Sequence, residues 1–159
     1  MLHRRLLALS ALVVAAAIPG AAQAAAPTAS SAVLGAAPAL GAGGRVLYLY
    51  TVEIPPHTKL ALHHHPGTQL GRIVSGSLTY TVERGAAEVY RFAADGTAKL
   101  VRTIHAGQTA VITAGETVVE QPTDVHRAEN ATGKPIEIVL ASLIPKGSPL
   151  AIPVTGKAR

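Results

Sequence analysis

The chain has 159 residues, 48% of them apolar and only 14% charged, with 14 Lys and Arg against 9 Asp and Glu. A length of this order supports one domain with one core. Zero cysteines exclude disulfides, thiolate chemistry and a lipid-anchor cysteine, and scattered basic residues with few aromatics speak against nucleic-acid binding.

Residues 1–24 read as a bacterial secretory signal peptide. Met1-Leu-His-Arg-Arg5 is a basic start, Leu6 to Ile18 is apolar apart from Ser10, and Ala22-Gln23-Ala24 offers small residues for cleavage. The apolar run is short for a membrane span, so no stable membrane anchor is expected after cleavage. The expected destination is the periplasm or the extracellular space. Loss of Arg4 and Arg5 takes the formal charge from +5 to +3. Residues 25–44 are almost wholly Ala, Gly, Pro, Ser and Thr and read as a flexible segment, because they offer too little apolar surface to offset the entropy of ordering.

The body, residues 45–149, reads as all-β, with residues 150–159 as a C-terminal tail. Short β-branched runs alternate with turn residues every eight to twelve positions. Strands are expected near 45–54, 58–65, 69–75, 77–83, 87–93, 98–104, 109–112, 117–121, 125–129 and 135–144. Ser75-Gly76, Arg84-Gly85, Ala106-Gly107, Ala114-Gly115 and Thr132-Gly133 mark turns, and Asp95-Gly96 is the strongest hairpin signal. In 45–54 the run Val46-Leu47-Tyr48-Leu49 is apolar on both faces, so a homodimer through an outer sheet is expected.

The strand at 58–65 runs into His63-His64-His65, and Pro66-Gly67 ends it. Two histidines one residue apart put both imidazoles on one face of a strand, and imidazole is the commonest protein ligand for first-row transition metals. Gln69 follows as a further donor, and a distant segment, Pro122 to Asn130, supplies His126. If Gln69 faces inward, so do Gly71, Ile73 and Ser75. Gly71 then either leaves space for a substrate pocket beside the histidines or merely marks a bend or bulge. Tyr80, which shares an inward face with Leu78 and Val82, either offers its phenol to a ligand or packs as a core residue. His64 faces the other way. His57, Glu53, His105 and Glu120 carry no assignment from sequence.

These segments resemble the cupin family. His63, His65, Gln69 and Gly76 stand at the spacing of that family's first motif, with Gln69 where a carboxylate is usual. Gly115, Pro122, His126 and Asn130 are similar to its second, although Asp124 sits near an expected Gly and the Pro-to-His interval is one residue short. The resemblance, covering roughly Arg45 to Pro149, implies a single-domain jelly-roll barrel. It implies a divalent transition metal (Fe, Mn, Ni, Cu or Zn) held by His63, His65 and His126, with Gln69 as a fourth or outer ligand. Gly76, Pro122 and Asn130 would be structural residues near the site.

The family's range implies a small-molecule ligand and dioxygenase-, isomerase- or decarboxylase-like chemistry. A non-catalytic module binding a metal or small ligand is the alternative, and a structural barrel with a degenerate site is a third. Without the carboxylate, the cation would keep its full charge, favouring anionic substrates or bound hydroxide. The site would then bind metal less tightly and lack a candidate base.

Overall fold

Twelve β-strands and no helix make up residues 27–155, the residues described by this computed structural model. The expected signal peptide, residues 1–24, lies outside the described residues. In chain order the strands are β1 (Ser30–Pro38), β2 (Arg45–Ile54), β3 (Thr58–His64), β4 (Thr68–Ser75), β5 (Ser77–Arg84) and β6 (Ala86–Phe92). They continue as β7 (Ala98–His105), β8 (Thr109–Thr113), β9 (Glu116–Glu120), β10 (Val125–Asn130), β11 (Ile136–Pro145) and β12 (Ile152–Pro153).

Two antiparallel sheets pack face to face, one of seven strands ordered β1-β2-β11-β4-β9-β6-β7 and one of five ordered β12-β3-β10-β5-β8. This is the all-β fold expected from the turn spacing, in the jelly-roll form that the family resemblance implies. The Asp95-Gly96 hairpin joins β6 and β7, with Ala93 N–H donating to Thr97 C=O at 3.0 Å.

Alternation decides which side chains enter the core. Along β5, Leu78, Tyr80 and Val82 are buried, whereas Thr79 and Thr81 are only partly covered. Along β4, Gln69, Gly71 and Ile73 are buried and Leu70, Arg72 and Val74 are exposed. Ser75, expected inward on the same period, is exposed, because the β4–β11 register shifts between Glu137 and Ile138 opposite it. The core between the sheets is completed by Ile54, Val89, Ile104, Ile112, Ile136 and Ile138.

Two elements have no counterpart among the strands expected from sequence. Within the Ala/Gly/Pro-rich segment, β1 adds to the edge of β2 although all nine of its residues are exposed. It is held by the backbone ladder, which needs no particular side chain. Within the expected tail, β12 pairs with β3, setting Ile152 opposite His64 and Pro153 opposite His63.

The Pro66-Gly67 turn is pressed against β11. A Cβ at Gly67 would stand 2.0 Å from the carbonyl oxygen of Leu143, a main-chain atom that cannot swing aside. Gly67→Ala is therefore expected to cost about 2–3 kcal/mol by overpacking and to lower the thermal midpoint by roughly 8–12 °C. An unchanged midpoint in a thermal melt would show that the turn moves freely.

Candidate metal centre

The three histidines reach one point from two neighbouring strands. His63 lies directly opposite His126 in the β3–β10 pair, and His65 follows at the end of β3. One ligand nitrogen from each of His63, His65 and His126 lies within 4.8 Å of the others, and this is the group of metal-ligand spacing found among the described residues. His64 is no member of it, as strand alternation requires.

Two of the rings are held by backbone carbonyls. His63 Nδ1 lies 2.7 Å from Ala61 C=O and His65 Nδ1 lies 2.6 Å from Leu150 C=O. A carbonyl only accepts, so each Nδ1 carries the proton and each Nε2 keeps its lone pair. That is the tautomer a metal ligand needs. Leu150, just before β12, thus contributes through its main chain, for which no side-chain signal exists. His126 is 3% exposed and stacks on Tyr80, with ring centroids 4.9 Å apart. Burial lowers its pKa to about 4, so the imidazole is neutral at neutral pH.

From the facing sheet, Gln69 on β4 and Glu120 on β9 stand directly opposite each other. Glu120 is 3% exposed and sits among the histidines, with Oε2 3.3 Å from His65 Nε2 and Oε1 3.5 Å from His126 Nε2. Tyr80 donates its hydroxyl to Oε1 at 2.7 Å, and the Gln69 amide nitrogen donates to Oε2 at 2.8 Å. Burial alone would raise the Glu120 pKa; His126, His65 and the Tyr80 hydrogen bond outweigh it and hold the pKa below the ordinary value. A carboxylate has therefore been brought to the site, and sequence reasoning did not assign it.

Gln69 is fixed from its other end. Its Oε1 accepts from Tyr50 at 2.5 Å and from Ser142 at 2.6 Å, while its Nε2 lies 3.0 Å from His65 Nε2. Burial pushes the Tyr50 phenol up to about 12, and burial followed by the neighbouring Glu120 raises Tyr80 well above its usual value. Both phenols remain neutral donors.

The remaining expected residues fall into distinct roles. Gly71 and Tyr80 both line the interior cavity, of about 100 Å³, whose apolar walls include Val52, Leu60, Ile73, Val118, Ile138 and Leu140. A Cβ on Gly71 would meet Val118 Cγ1 at 3.3 Å, so the glycine keeps that wall open. Pro122 is exposed in the turn between β9 and β10. Buried Asp124 closes this turn, its carboxylate accepting from Gln121 N–H at 2.7 Å and from Ala86 N–H at 3.2 Å. Gly76 turns β4 into β5 at φ +83°. Asn130 secures the far end of β10, where its amide donates to the carbonyls of Ile54, Pro55 and Lys134. Of the unassigned polar residues, Glu53, His57 and His105 are exposed and only Glu120 joins the site.

The metal-free protein is expected to lose stability in mild acid. The unfolded His126 titrates near 6.5 and the folded one near 4, so its contribution is intact above about pH 6.5 and is lost as the pH falls toward 4. The loss from this group reaches about 3 kcal/mol. His63, whose pKa burial also lowers, acts in the same direction. Protonation of Glu120, whose folded pKa is depressed, removes further stability only below its ordinary carboxylate range. Urea unfolding of chelator-treated protein at pH 7 and pH 5 checks this, and equal midpoints would contradict it.

Residues 50–142, more than half of the chain, match the family model described as Cupin domain. No curated protein matches the sequence. Among solved structures, KdgF from Halomonas sp. superposes with a TM-score of 0.50 at 16% identity, over 78% of this chain and 86% of its own. The DMSP lyase DddQ from Ruegeria pomeroyi DSS-3 gives 0.50 at 13% identity, over 71% of this chain and 45% of its own. A cupin domain from Bordetella pertussis Tohama I gives 0.46 at 15% identity, over 74% and 94%.

Proposed function

The chain belongs to the cupin family, and from that premise we propose that it is an exported cupin that holds a divalent transition metal and acts on a small molecule. One observation carries the reading. Three imidazole nitrogens converge within 4.8 Å, and two of the rings are locked by backbone carbonyls in the tautomer that leaves Nε2 free. Three converging imidazoles beside a buried carboxylate form a donor set that suits Fe, Mn, Ni, Cu or Zn.

When bound, such a cation supplies Lewis-acid polarisation of a substrate oxygen or a point of dioxygen activation. The chain's own residues do the rest. The aliphatic walls exclude water and receive an apolar body, while the polar end receives an oxygen-bearing group. The cavity of about 100 Å³ beside the histidines suits a small ligand. Glu120 answers the expectation of a site without a base, since a carboxylate hydrogen-bonded to Tyr80 and Gln69 stands beside the histidines. The reaction classes that suit these parts are dioxygenation, isomerisation and decarboxylation. Capture without turnover is the second reading, favoured by the small cavity and the fully hydrogen-bonded Gln69 amide.

Export rests on the sequence of residues 1–24. A homodimer through the seven-stranded sheet is supported by the exposure of Leu47, Leu49 and Leu70 on its outer face.

Elemental analysis of untagged protein tests the metal reading. About one first-row divalent ion per chain is expected, either as isolated or after dialysis against zinc or cobalt(II). A chain that arrives without metal and takes up neither ion overturns it.

A further inference from the structure

We infer that the carboxylate of Glu120 is the fourth metal donor, standing across the β4–β9 pair from the position where the motif's carboxylate is missing, and that Gln69 is a positioning residue that aims it. This rests on the metal-binding reading above. Gln69 and Glu120 are 51 residues apart in sequence yet directly opposite in register. A side chain moved from one member of such a pair to the other reaches the same space from the adjacent strand, since Cβ atoms of directly opposed residues lie about 4.5–5.5 Å apart.

Hydrogen-bond chemistry separates the two roles. Both donors near Gln69 Oε1, the hydroxyls of Tyr50 and Ser142, converge on that oxygen and draw it away from the histidines. What Gln69 turns toward the histidines is its NH₂ group, which offers hydrogens and no lone pair to a cation. The reverse orientation would set Oε1 against the Glu120 carboxylate, acceptor against acceptor, at 2.8 Å. The amide is therefore locked from both ends.

Glu120 has the complementary property. An ionised carboxylate offers about four acceptor sites. Tyr80 occupies one on Oε1 and Gln69 one on Oε2, and the oxygens then stand 3.5 Å from His126 Nε2 and 3.3 Å from His65 Nε2. The unused lone pairs are in the neighbourhood of the same nitrogens that would take the ion. The Gln69 amide also lies 3.0 Å from His65 Nε2, a contact that a cation bound there would replace, leaving the amide its bond to Glu120.

The deciding measurement is a crystal structure of the unmutated chain grown with zinc, the ion located by its anomalous signal. A Glu120 oxygen at about 2.0–2.2 Å from the ion, with no Gln69 atom in coordination, is the expected result. An ion coordinated by Gln69, or one that Glu120 does not touch, overturns the inference while leaving the three-histidine site intact. A crystal in which no zinc sits between His63, His65 and His126 overturns both. Chelator competition in solution gives an independent check. Glu120→Gln is expected to lower zinc affinity at least about 100-fold, whereas Gln69→Leu, acting through Glu120, lowers it about tenfold. Unchanged affinity in a folded Glu120→Gln protein overturns the inference.

Discussion

Replacing His126 with alanine is expected to lower zinc or cobalt(II) affinity by well over a hundredfold, more than the loss of a group that merely supports a ligand. His126 is one of three imidazoles whose nitrogens meet within 4.8 Å, and no fourth histidine belongs to that group among the described residues. Its ring also packs against Tyr80 and His63, with centroids 4.9 Å and 4.3 Å away, so its removal leaves space beside them. His63→Ala should behave in the same way.

His64→Ala supplies the control. It changes a histidine next to two candidate ligands yet outside the group, so its affinity should match that of the unmutated chain. Competition with a chromophoric chelator reads all three variants. If His64→Ala and His126→Ala weaken binding equally, adventitious surface binding explains the metal and the interior site is wrong. His126→Ala should also lose less stability between pH 7 and pH 5 in metal-free form, because the buried imidazole that resists protonation is gone.

Asn130→Ala is expected to be the most destabilising single change away from the histidines, by about 3–5 kcal/mol. The side chain is fully buried and its amide donates to Ile54 C=O at 2.9 Å, Pro55 C=O at 3.0 Å and Lys134 C=O at 2.8 Å. Its Oδ1 accepts from Thr132 N–H at 3.0 Å and from the Thr132 hydroxyl at 2.8 Å. One residue thereby joins the β2–β3 and β10–β11 connections. Truncation leaves these backbone groups without partners and also opens a cavity.

A fall of more than roughly 10 °C in the thermal midpoint is the corresponding readout. Metal affinity of the folded fraction should fall far less than in His126→Ala, because Asn130 holds the opposite end of β10 from the histidine. A midpoint within a few degrees of the unmutated chain would mean that water replaces the amide.

The motif match takes Asn130 as a structural residue near the site, and in the fold it is a brace between two turns. Glu120 is the converse case. On β9 it shares an inward face with Glu116 and Val118, and alternation alone could have suggested that face. Its relation to Gln69 is a cross-strand register, which no linear spacing encodes. The absent carboxylate at position 69 was the one available signal, and it indicated that a charge was missing without saying where it had gone. Tyr50 and Ser142 escaped notice for the same reason, reaching Gln69 across 19 and 73 residues.

Local chemistry determined the elements and the ligand candidates. β-branched runs between glycine turns define strands, Asp95-Gly96 defines a hairpin, and the period of two puts His63 and His65 on one face and His64 on the other. These are nearest-neighbour properties, carried by dihedral preference and side-chain alternation, and so they are legible in the chain itself. Tertiary structure decided the rest: the order of strands in two sheets, the edge addition of β1, the Leu150 carbonyl on His65, and the meeting of Glu120 with the histidines. Each depends on which strands become neighbours and in what register, a choice made by burying the whole apolar core at once rather than by any segment alone.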